Sequence, residues 1–186
     1  MKNKCIFLDR DGTIVVYKKL LHKKEDIVLL DDATDAIKLI NQHEYLAIVV
    51  TNQPVVARNL CSYEEMWEIN KRMEELLAQK GAYLDDIFVC PHHPDRGFPE
   101  ENKKYKIKCE CRKPGIGLII EATKKYNIDL ENSYLIGDTT TDLMAGKNAG
   151  LKTVLVKTGL GGRDGIYNVK ADYVVKDLWE ATSKII

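Results

Sequence analysis

The sequence predicts an α/β fold of three layers, α/β/α, in which a parallel sheet carries helices on both faces. Short apolar segments typical of buried strands alternate along the chain with segments whose apolar residues recur at helical spacing. The chain has 186 residues, enough for one domain with a full hydrophobic core and too few for two. The loops between the predicted elements are too short to form a large cap domain. We therefore predict a single domain over residues 1–186.

The first half of the chain alternates strands and helices. Apolar runs predict buried strands over residues 4–8, 46–50 and 86–89. Apolar residues at helical spacing predict helices over residues 32–43 and 63–80. Ser62 and Glu65 fit a capping box at the start of the second helix, because each side chain can bond the backbone N–H of the other residue.

The second half continues the alternation. Helices are predicted over residues 117–126, 142–149 and 178–186. Strands are predicted over residues 134–136, 153–156 and 171–175, the last of them at a sheet edge. Residues 90–113 form a long polar loop, and loops of this length usually carry a function or are held by a staple. Together with the loops at 13–28 and 54–62, it is expected to shape the substrate pocket.

The charge balance argues against several classes of function. Lys plus Arg equal Asp plus Glu at 28 each, whereas proteins that bind nucleic acids usually carry a basic excess. No apolar stretch approaches the length that crosses a bilayer, and the N-terminal residues lead straight into the first strand. We therefore expect a cytoplasmic protein with no membrane or nucleic-acid partner. We also expect a monomer, because no surface stripe in the sequence suggests a partner helix. The five cysteines are then thiols or metal ligands, with Cys5 in the core and Cys61 without a role.

Two carboxylates, Asp9 and Asp11, follow the first predicted strand in the run Phe-Leu-Asp-Arg-Asp-Gly-Thr. In an open α/β sheet, ligands bind at the carboxyl ends of the strands. Carboxylates this close repel each other unless a cation lies between them, and Mg²⁺ prefers oxygen ligands. Gly12 permits a sharp turn behind them. The run therefore predicts a magnesium site, although an ordinary acidic turn after a strand contains the same residue types.

This run resembles the first motif of the haloacid dehalogenase superfamily of phosphatases. Three later segments fit the superfamily in the same order. Thr51 and Asn52 end the second strand with a hydroxyl and an amide, and Lys113 lies in an Arg-Lys-Pro turn before the third helix. Asp138, followed by Asp142, ends the fourth strand. Each segment alone also fits a strand end, a basic turn or a helix cap, but their shared order favours the superfamily, which implies a Rossmann-like sheet.

The resemblance implies a Mg²⁺-dependent phosphatase with a covalent intermediate. Asp9 would attack phosphorus, and Asp11 would protonate the leaving alkoxide and then deprotonate the attacking water. Mg²⁺ would be held by the carboxylates of Asp9 and Asp138 and by the backbone carbonyl of Asp11. The phosphoryl oxygens would be neutralised or oriented by Lys113, Thr51 and Asn52.

Four residues with metal-ligand side chains flank the long loop: Cys90, His92, Cys109 and Cys111. Three thiols and an imidazole match a closed tetrahedral zinc site, although the one-residue gaps are tighter than the usual two. His93 could replace His92, but the alternating spacing favours His92. A polar loop without a core of its own would gain folding free energy from the metal. We predict a structural zinc site that staples the loop over 90–111.

With this loop included, the sequence is similar to the phosphatase family that acts on D-glycero-D-manno-heptose 1,7-bisphosphate, a pattern shared with histidinol-phosphate phosphatases. The matching segments include Cys-Pro-His-His-Pro, Cys-x-Cys-Arg-Lys-Pro and Gly-Asp-x-x-x-Asp, and the likeness runs over residues 4–161. The resemblance implies that the 7-phosphate of a small phosphorylated sugar is removed. It also implies that Arg112, and Arg58 in a loop of matching position, contact the substrate.

Two segments depart from this family. Pro54-Val55-Val56 stands where the heptose enzymes usually have Ser-Gly, and Thr139 stands where a basic residue usually follows Gly-Asp. With one positive charge fewer near the metal, the sequence gives weaker support to a substrate with two phosphates. The alternatives are a histidinol-phosphate phosphatase, a polynucleotide 3′-phosphatase, for which the composition offers no basic groove, and a non-catalytic zinc-stapled binding module.

Overall fold

A six-stranded parallel sheet forms the centre of the molecule. The computed structural model describes residues 2–95 and 101–186, so that part of the loop over 90–111 lies outside the described residues. The strands are β1 (Lys4–Leu8), β2 (Tyr45–Asn52), β3 (Asp86–Cys90), β4 (Tyr134–Gly137), β5 (Lys152–Val156) and β6 (Tyr173–Val175). Their order is β3-β2-β1-β4-β5-β6, and each neighbouring pair is parallel. This is the order of a Rossmann-like fold, as predicted.

The described residues form five α-helices: α1 (Ala33–Asn41), α2 (Tyr63–Ala78), α3 (Gly117–Tyr126), α4 (Thr140–Asn148) and α5 (Leu178–Ile185). The first four lie between strands, and α5 follows β6. Each predicted helix is present, and the main difference is at α4, which begins at Thr140 rather than at Asp142. The cause is Thr139, whose side chain caps this helix by accepting a hydrogen bond from the Asp142 N–H. The predicted capping box of Ser62 and Glu65 is present at α2.

The hydrophobic core lies on both faces of the sheet. Along β1, Ile6 and Leu8 pack into one cluster with α1, α2 and α5, whereas Cys5 and Phe7 pack into a second cluster with α3. The division follows from the two-residue period of a strand, which sends alternate side chains to opposite faces. Helices on both faces confirm the predicted three-layer architecture. No helix among the described residues is both long and apolar enough to span a bilayer.

The strand order reverses between β1 and β4, which are neighbours in the sheet although far apart in the sequence. Leu8 pairs with Ile136, and the Asp9 N–H donates to the Ile136 carbonyl at 3.0 Å. The crossovers leave the sheet in opposite directions at this point, which opens a crevice at the carboxyl ends of the two strands. The residues that follow β1 and β4, Asp9 and Asp138, therefore lie at the edge of this crevice.

The capping box of α2 can be tested by substitution of Ser62. Ser62→Ala removes the acceptor for the Glu65 N–H, which lies 3.0 Å from the Ser62 hydroxyl. We expect a loss of about 1 kcal/mol in unfolding free energy and of about 2–4 °C in Tm, measured by thermal denaturation. Ser183→Ala is the matched control, because Ser183 is an exposed residue within α5. Equal losses in both variants would contradict the assignment of the cap.

Candidate active site

Three carboxylates and one lysine converge at the crevice between β1 and β4. Asp9, Asp138 and Asp142 each offer an oxygen, and these oxygens lie within 4.8 Å of one another. The Lys113 ammonium lies 2.8 Å from Asp9 Oδ1 and 2.6 Å from Asp142 Oδ1. It also donates to the Val50 carbonyl at 2.7 Å, which places it over the end of β2. The structure thus brings together predicted residues from three distant segments.

Burial and neighbouring charges shift the pKa values of three groups in this cluster. Burial raises the pKa of Asp138 to about 8, and the nearby Asp9 and Asp142 carboxylates add to the rise. Burial also raises the pKa of Asp142, against the opposing effect of Lys113. Burial would lower the pKa of Lys113, but the Asp142 and Asp9 carboxylates outweigh it and the pKa rises. Lys113 is therefore a cation, and it does not balance three carboxylates by itself.

The donor set fits a hard divalent cation. Asp138 is fully buried, and within the described residues its Oδ1 has no hydrogen-bond partner. Its Oδ2 accepts the Leu160 N–H at 2.7 Å, which fixes the carboxylate so that Oδ1 remains available. A buried, unpaired carboxylate oxygen is costly unless a cation binds it. Mg²⁺ prefers such oxygen ligands, so that Asp138 and Asp9 fit the predicted magnesium site.

Gly12 is required by the close packing behind this site. Its φ is +83°, and a Cβ placed there would lie 2.4 Å from Asp138 Oδ2 and 3.0 Å from the Gly159 Cα. The Thr158 hydroxyl donates to the Gly12 carbonyl at 2.6 Å and holds this contact together. Only glycine fits both the backbone conformation and the space.

Asp11 has a different environment from Asp9, although one residue separates them. The Arg10 Nη2 atom donates to Asp11 Oδ2 at 2.9 Å, and the Gln53 amide donates to the same oxygen at 2.7 Å. Gln53 also donates to the Thr51 hydroxyl at 3.0 Å. Arg10 in turn donates to Asn70 on α2 at 2.9 Å. Sequence reasoning did not assign Arg10, Gln53 or Asn70, since a buried arginine gives no periodic signal.

Asn52 connects the end of β2 to the lysine. Its side-chain amide donates to the Lys113 carbonyl at 3.1 Å and accepts from the Lys113 N–H at 3.0 Å. This reciprocal pair fixes the backbone that carries the ammonium group. The predicted contacts of Thr51 and Asn52 with phosphate oxygens stay predictions, and the structure adds a positioning contact for Asn52.

A pocket of about 300 Å³ opens in front of these groups. It is lined by the acids and Lys113, by Arg58 and Arg112, and by Tyr17, Lys18 and Lys19 from the loop after β1. The Arg112 guanidinium donates to the His92 carbonyl at 3.1 Å, and burial lowers its pKa. The structure thus brings both predicted arginines to the same pocket as the carboxylates.

The two departures from the family pattern have structural roles. Thr139 caps α4, and its hydroxyl donates to Asp142 Oδ2 at 2.5 Å, so that it holds the partner of Lys113. Val55 and Val56 are buried against Cys61 and Met66. Cys61, for which no role was expected, is therefore a packing residue of this small cluster. Lys18 and Lys19 also line the pocket, and Lys18 pairs with Asp26 at 2.6 Å.

A second cluster lies beside the pocket. Cys90, His92, Cys109 and Cys111 each offer one ligand atom, and these atoms lie within 4.8 Å of one another. The sulfur atoms are 3.2–3.5 Å apart, and the His92 Nδ1 lies 3.3 Å from the Cys111 sulfur. Zn–S bonds of about 2.3 Å in a tetrahedron put sulfurs roughly 3.8 Å apart, so that one zinc ion fits with a slight expansion.

The close approach of these thiols shifts their pKa values as well. Hydrogen bonding with Cys90 lowers the pKa of Cys111 to about 5, while the same contact raises the pKa of Cys90 well above its usual range. The cluster therefore ionises readily at one sulfur and resists ionisation at another unless a cation neutralises the group. His93, the alternative ligand, instead lies 3.4 Å from the Arg58 guanidinium.

Comparison with known proteins identifies the class. Residues 110–181 match the HAD-hydrolase-like family. The chain is 39% identical over 157 residues, 84% of its length, to the D-glycero-beta-D-manno-heptose-1,7-bisphosphate 7-phosphatase of Pasteurella multocida, covering 83% of that protein. It is 41% identical over 159 residues to the D-glycero-alpha-D-manno-heptose-1,7-bisphosphate 7-phosphatase of Photorhabdus laumondii, and the match covers 85% of each chain. The protein is therefore a phosphatase of the haloacid dehalogenase type.

A solved structure of a further relative has the same fold. The crystal structure of D,D-heptose 1,7-bisphosphate phosphatase from B. bronchiseptica, complexed with magnesium and phosphate, superposes with a TM-score of 0.85 at 30% identity. The match covers 98% of this chain and 97% of that one. The chain belongs to the heptose-bisphosphate phosphatase family.

The unpaired charge of Asp138 gives a test of the metal site. Its pKa rises from an ordinary 3.8 to about 8, so that its ionisation destabilises the folded, metal-free protein increasingly between about pH 4 and pH 8. With the metal chelated, Asp138→Asn is expected to raise the unfolding free energy by roughly 2–5 kcal/mol at pH 8 and by little near pH 4. Thermal denaturation at both pH values measures this.

Added Mg²⁺ is the control for this experiment. It is expected to stabilise the unaltered protein and to leave Asp138→Asn unchanged, because only the carboxylate binds the cation with useful affinity. Equal stabilisation of both proteins by Mg²⁺ would contradict the placement of the ion at Asp138.

Proposed function

We propose that the protein removes the 7-phosphate of D-glycero-D-manno-heptose 1,7-bisphosphate by way of an aspartyl-phosphate on Asp9. The observation that carries the proposal is that Asp9, Lys113, Arg58 and Arg112 line one pocket, so that two arginines face the same cavity as the nucleophile and its lysine. A doubly phosphorylated sugar needs a cation group for each phosphate. The names of the relatives support the heptose as the sugar.

The proposed reaction has two steps on the same phosphorus atom. Asp9 attacks phosphorus while Asp11 gives a proton to the leaving alcohol. Water then attacks the aspartyl-phosphate, and Asp11 takes its proton. Lys113, 2.8 Å from Asp9 Oδ1, stabilises the negative charge on the transferring group in both steps. Asn52 keeps the backbone of Lys113 in place throughout.

A bound Mg²⁺ would complete this arrangement. Asp9 and Asp138 would hold it, with the Asp11 carbonyl as the further protein ligand, and it would supply charge neutralisation for the phosphoryl oxygens. Asp142 has a separate role in the proposal, because its oxygens are taken by Lys113 and by Thr139. It keeps the ammonium group charged and directed at Asp9.

We further propose that zinc at Cys90, His92, Cys109 and Cys111 is structural. All four positions of a tetrahedral ion are then taken by protein ligands, which leaves none for a substrate. Cys111 directly precedes Arg112 and Lys113, so that the ion would fix the start of the segment that carries both cations. Cys90 ends β3, which anchors this segment to the sheet.

A zinc–thiolate site suits a reducing compartment, which supports a cytoplasmic enzyme of carbohydrate metabolism. The expected monomer without a nucleic-acid partner stays part of this proposal. The relatives do not select an anomer, since enzymes named for the beta and for the alpha anomer match the chain at 39% and 41% identity.

The proposed substrate is tested with a panel of phosphate esters compared by kcat/KM. We expect heptose 1,7-bisphosphate of either anomer to exceed heptose 7-phosphate and histidinol phosphate by at least about tenfold, because the second phosphate adds charge-assisted bonds. Arg58→Ala is expected to remove most of this preference while leaving the monophosphate rate within about threefold. Asp9→Asn is the negative control, and we expect it to turn over none of the esters.

A higher kcat/KM for histidinol phosphate would overturn the choice of substrate but would still agree with a phosphatase. Full activity in Asp9→Asn would overturn the choice of nucleophile.

The zinc proposal is tested by elemental analysis of the purified protein. We expect one zinc ion per chain, lost in Cys109→Ser, with a fall in Tm, since the bound metal contributes to folding. Cys5→Ser is the matched control, because Cys5 lies in β1 within the core. Retention of zinc in Cys109→Ser, or its absence from the unaltered protein, would contradict this assignment.

A further inference from the structure

Arg10 is a fully buried arginine placed between the two acids of the first motif. Its Nη2 atom donates to both oxygens of Asp11, at 3.1 Å and 2.9 Å, and to the Gln53 carbonyl oxygen at 2.8 Å. Its Nη1 atom donates to Asn70 Oδ1 at 2.9 Å. The guanidinium group therefore reaches Asp11, the end of β2 and helix α2 at the same time.

A buried guanidinium group is costly to keep in a protein core. Among the described residues, Arg10 has one ion-pair partner, the Asp11 carboxylate. A hydrophobic side chain of similar size would fill this space without the cost of desolvating a charge. The ion pair with Asp11 is therefore poorly explained by stability and is better explained by what it does to Asp11.

Asn70 fixes the other end of the guanidinium group. It is fully buried on α2, and its side-chain oxygen accepts the bond from Arg10. Its amide nitrogen lies 3.5 Å from the Met66 sulfur, one turn earlier on the same helix. These contacts determine the rotation of the Asn70 amide and present its oxygen to Arg10.

The contacts on Asp11 are unequal. Oδ2 accepts two bonds, at 2.7 Å from Gln53 and 2.9 Å from Arg10, whereas Oδ1 accepts one, at 3.1 Å. Asp11 also lines the pocket, and about 20% of its side chain is exposed. Oδ2 is thus held by two short bonds, and Oδ1, which accepts the longer bond from Arg10, is the oxygen better able to exchange a proton with a substrate.

We propose that Arg10, held by Asn70, is a positioning residue that keeps Oδ1 of Asp11 directed at the leaving group; this rests on the proposed function. In the first step the bond from phosphorus to the alcohol oxygen breaks as the bond to Asp9 forms, and the proton on Oδ1 passes to the alcohol oxygen. In the second step water attacks phosphorus, its proton returns to Oδ1, and the bond to Asp9 breaks. Proton transfer requires the carboxyl oxygen to lie within hydrogen-bond distance of the alcohol or water oxygen. A carboxyl group that rotates freely meets this condition only part of the time.

The test compares two esters that differ in their need for a proton. The alkoxide that leaves an alkyl phosphate, such as a hexose 6-phosphate, must be protonated, whereas 4-nitrophenolate leaves as a stable anion. In Asn70→Leu and in Arg10→Lys, kcat/KM for the alkyl ester is expected to fall by about tenfold or more. For 4-nitrophenyl phosphate the expected fall is less than about threefold, with KM for both esters little changed.

Ile69→Val is the matched control, since Ile69 precedes Asn70 on α2 and packs in the core. It is expected to preserve the wild-type ratio between the two esters. A uniform loss on both esters in Asn70→Leu, or a faster alkyl reaction, would overturn this inference alone. Absence of turnover of any ester by the unaltered protein would remove the proposed function as well.

Discussion

The repulsion among Asp9, Asp138 and Asp142 is the constraint on which the rest of this structure depends. A parallel sheet concentrates strand ends at one edge, and this chain places acids there in a setting with little water. Like charges in such a setting are costly unless opposite charges lie between them. Lys113 satisfies part of this demand. Oδ1 of Asp138 has no hydrogen-bond partner among the described residues, which fits a further cation.

The surrounding scaffold is arranged to hold that lysine. Asn52 bonds both backbone groups of Lys113, Asp142 bonds its ammonium group, and Thr139 bonds Asp142. The Cys and His cluster immediately before Lys113 joins the same segment to β3. A cation held from several elements loses little freedom on meeting a phosphate, which is the preorganisation that phosphoryl transfer needs.

The two acids of the first motif illustrate how environment separates chemical roles. Asp9 faces Lys113, whereas Asp11 faces the buried Arg10 and the Gln53 amide. The proposed roles of nucleophile and of acid or base, given to identical side chains, follow from this difference in partners. Arg10 separates the two environments, since it pairs with Asp11 on the side where α2 supports it.

The sequence by itself determined the order of strands and helices along the chain, because periodicity is a local property. For the same reason it determined the acids at the ends of β1 and β4 and the set of metal-ligand side chains. It did not determine which charges pair. Arg10 meets Asn70 across 60 positions of sequence. Lys113, which bonds the Val50 carbonyl on β2, meets Asp142 of α4 only because the sheet brings the ends of β2 and β4 to one edge. Such contacts arise from packing in three dimensions, where a buried charge selects its partner by proximity and desolvation rather than by spacing along the chain.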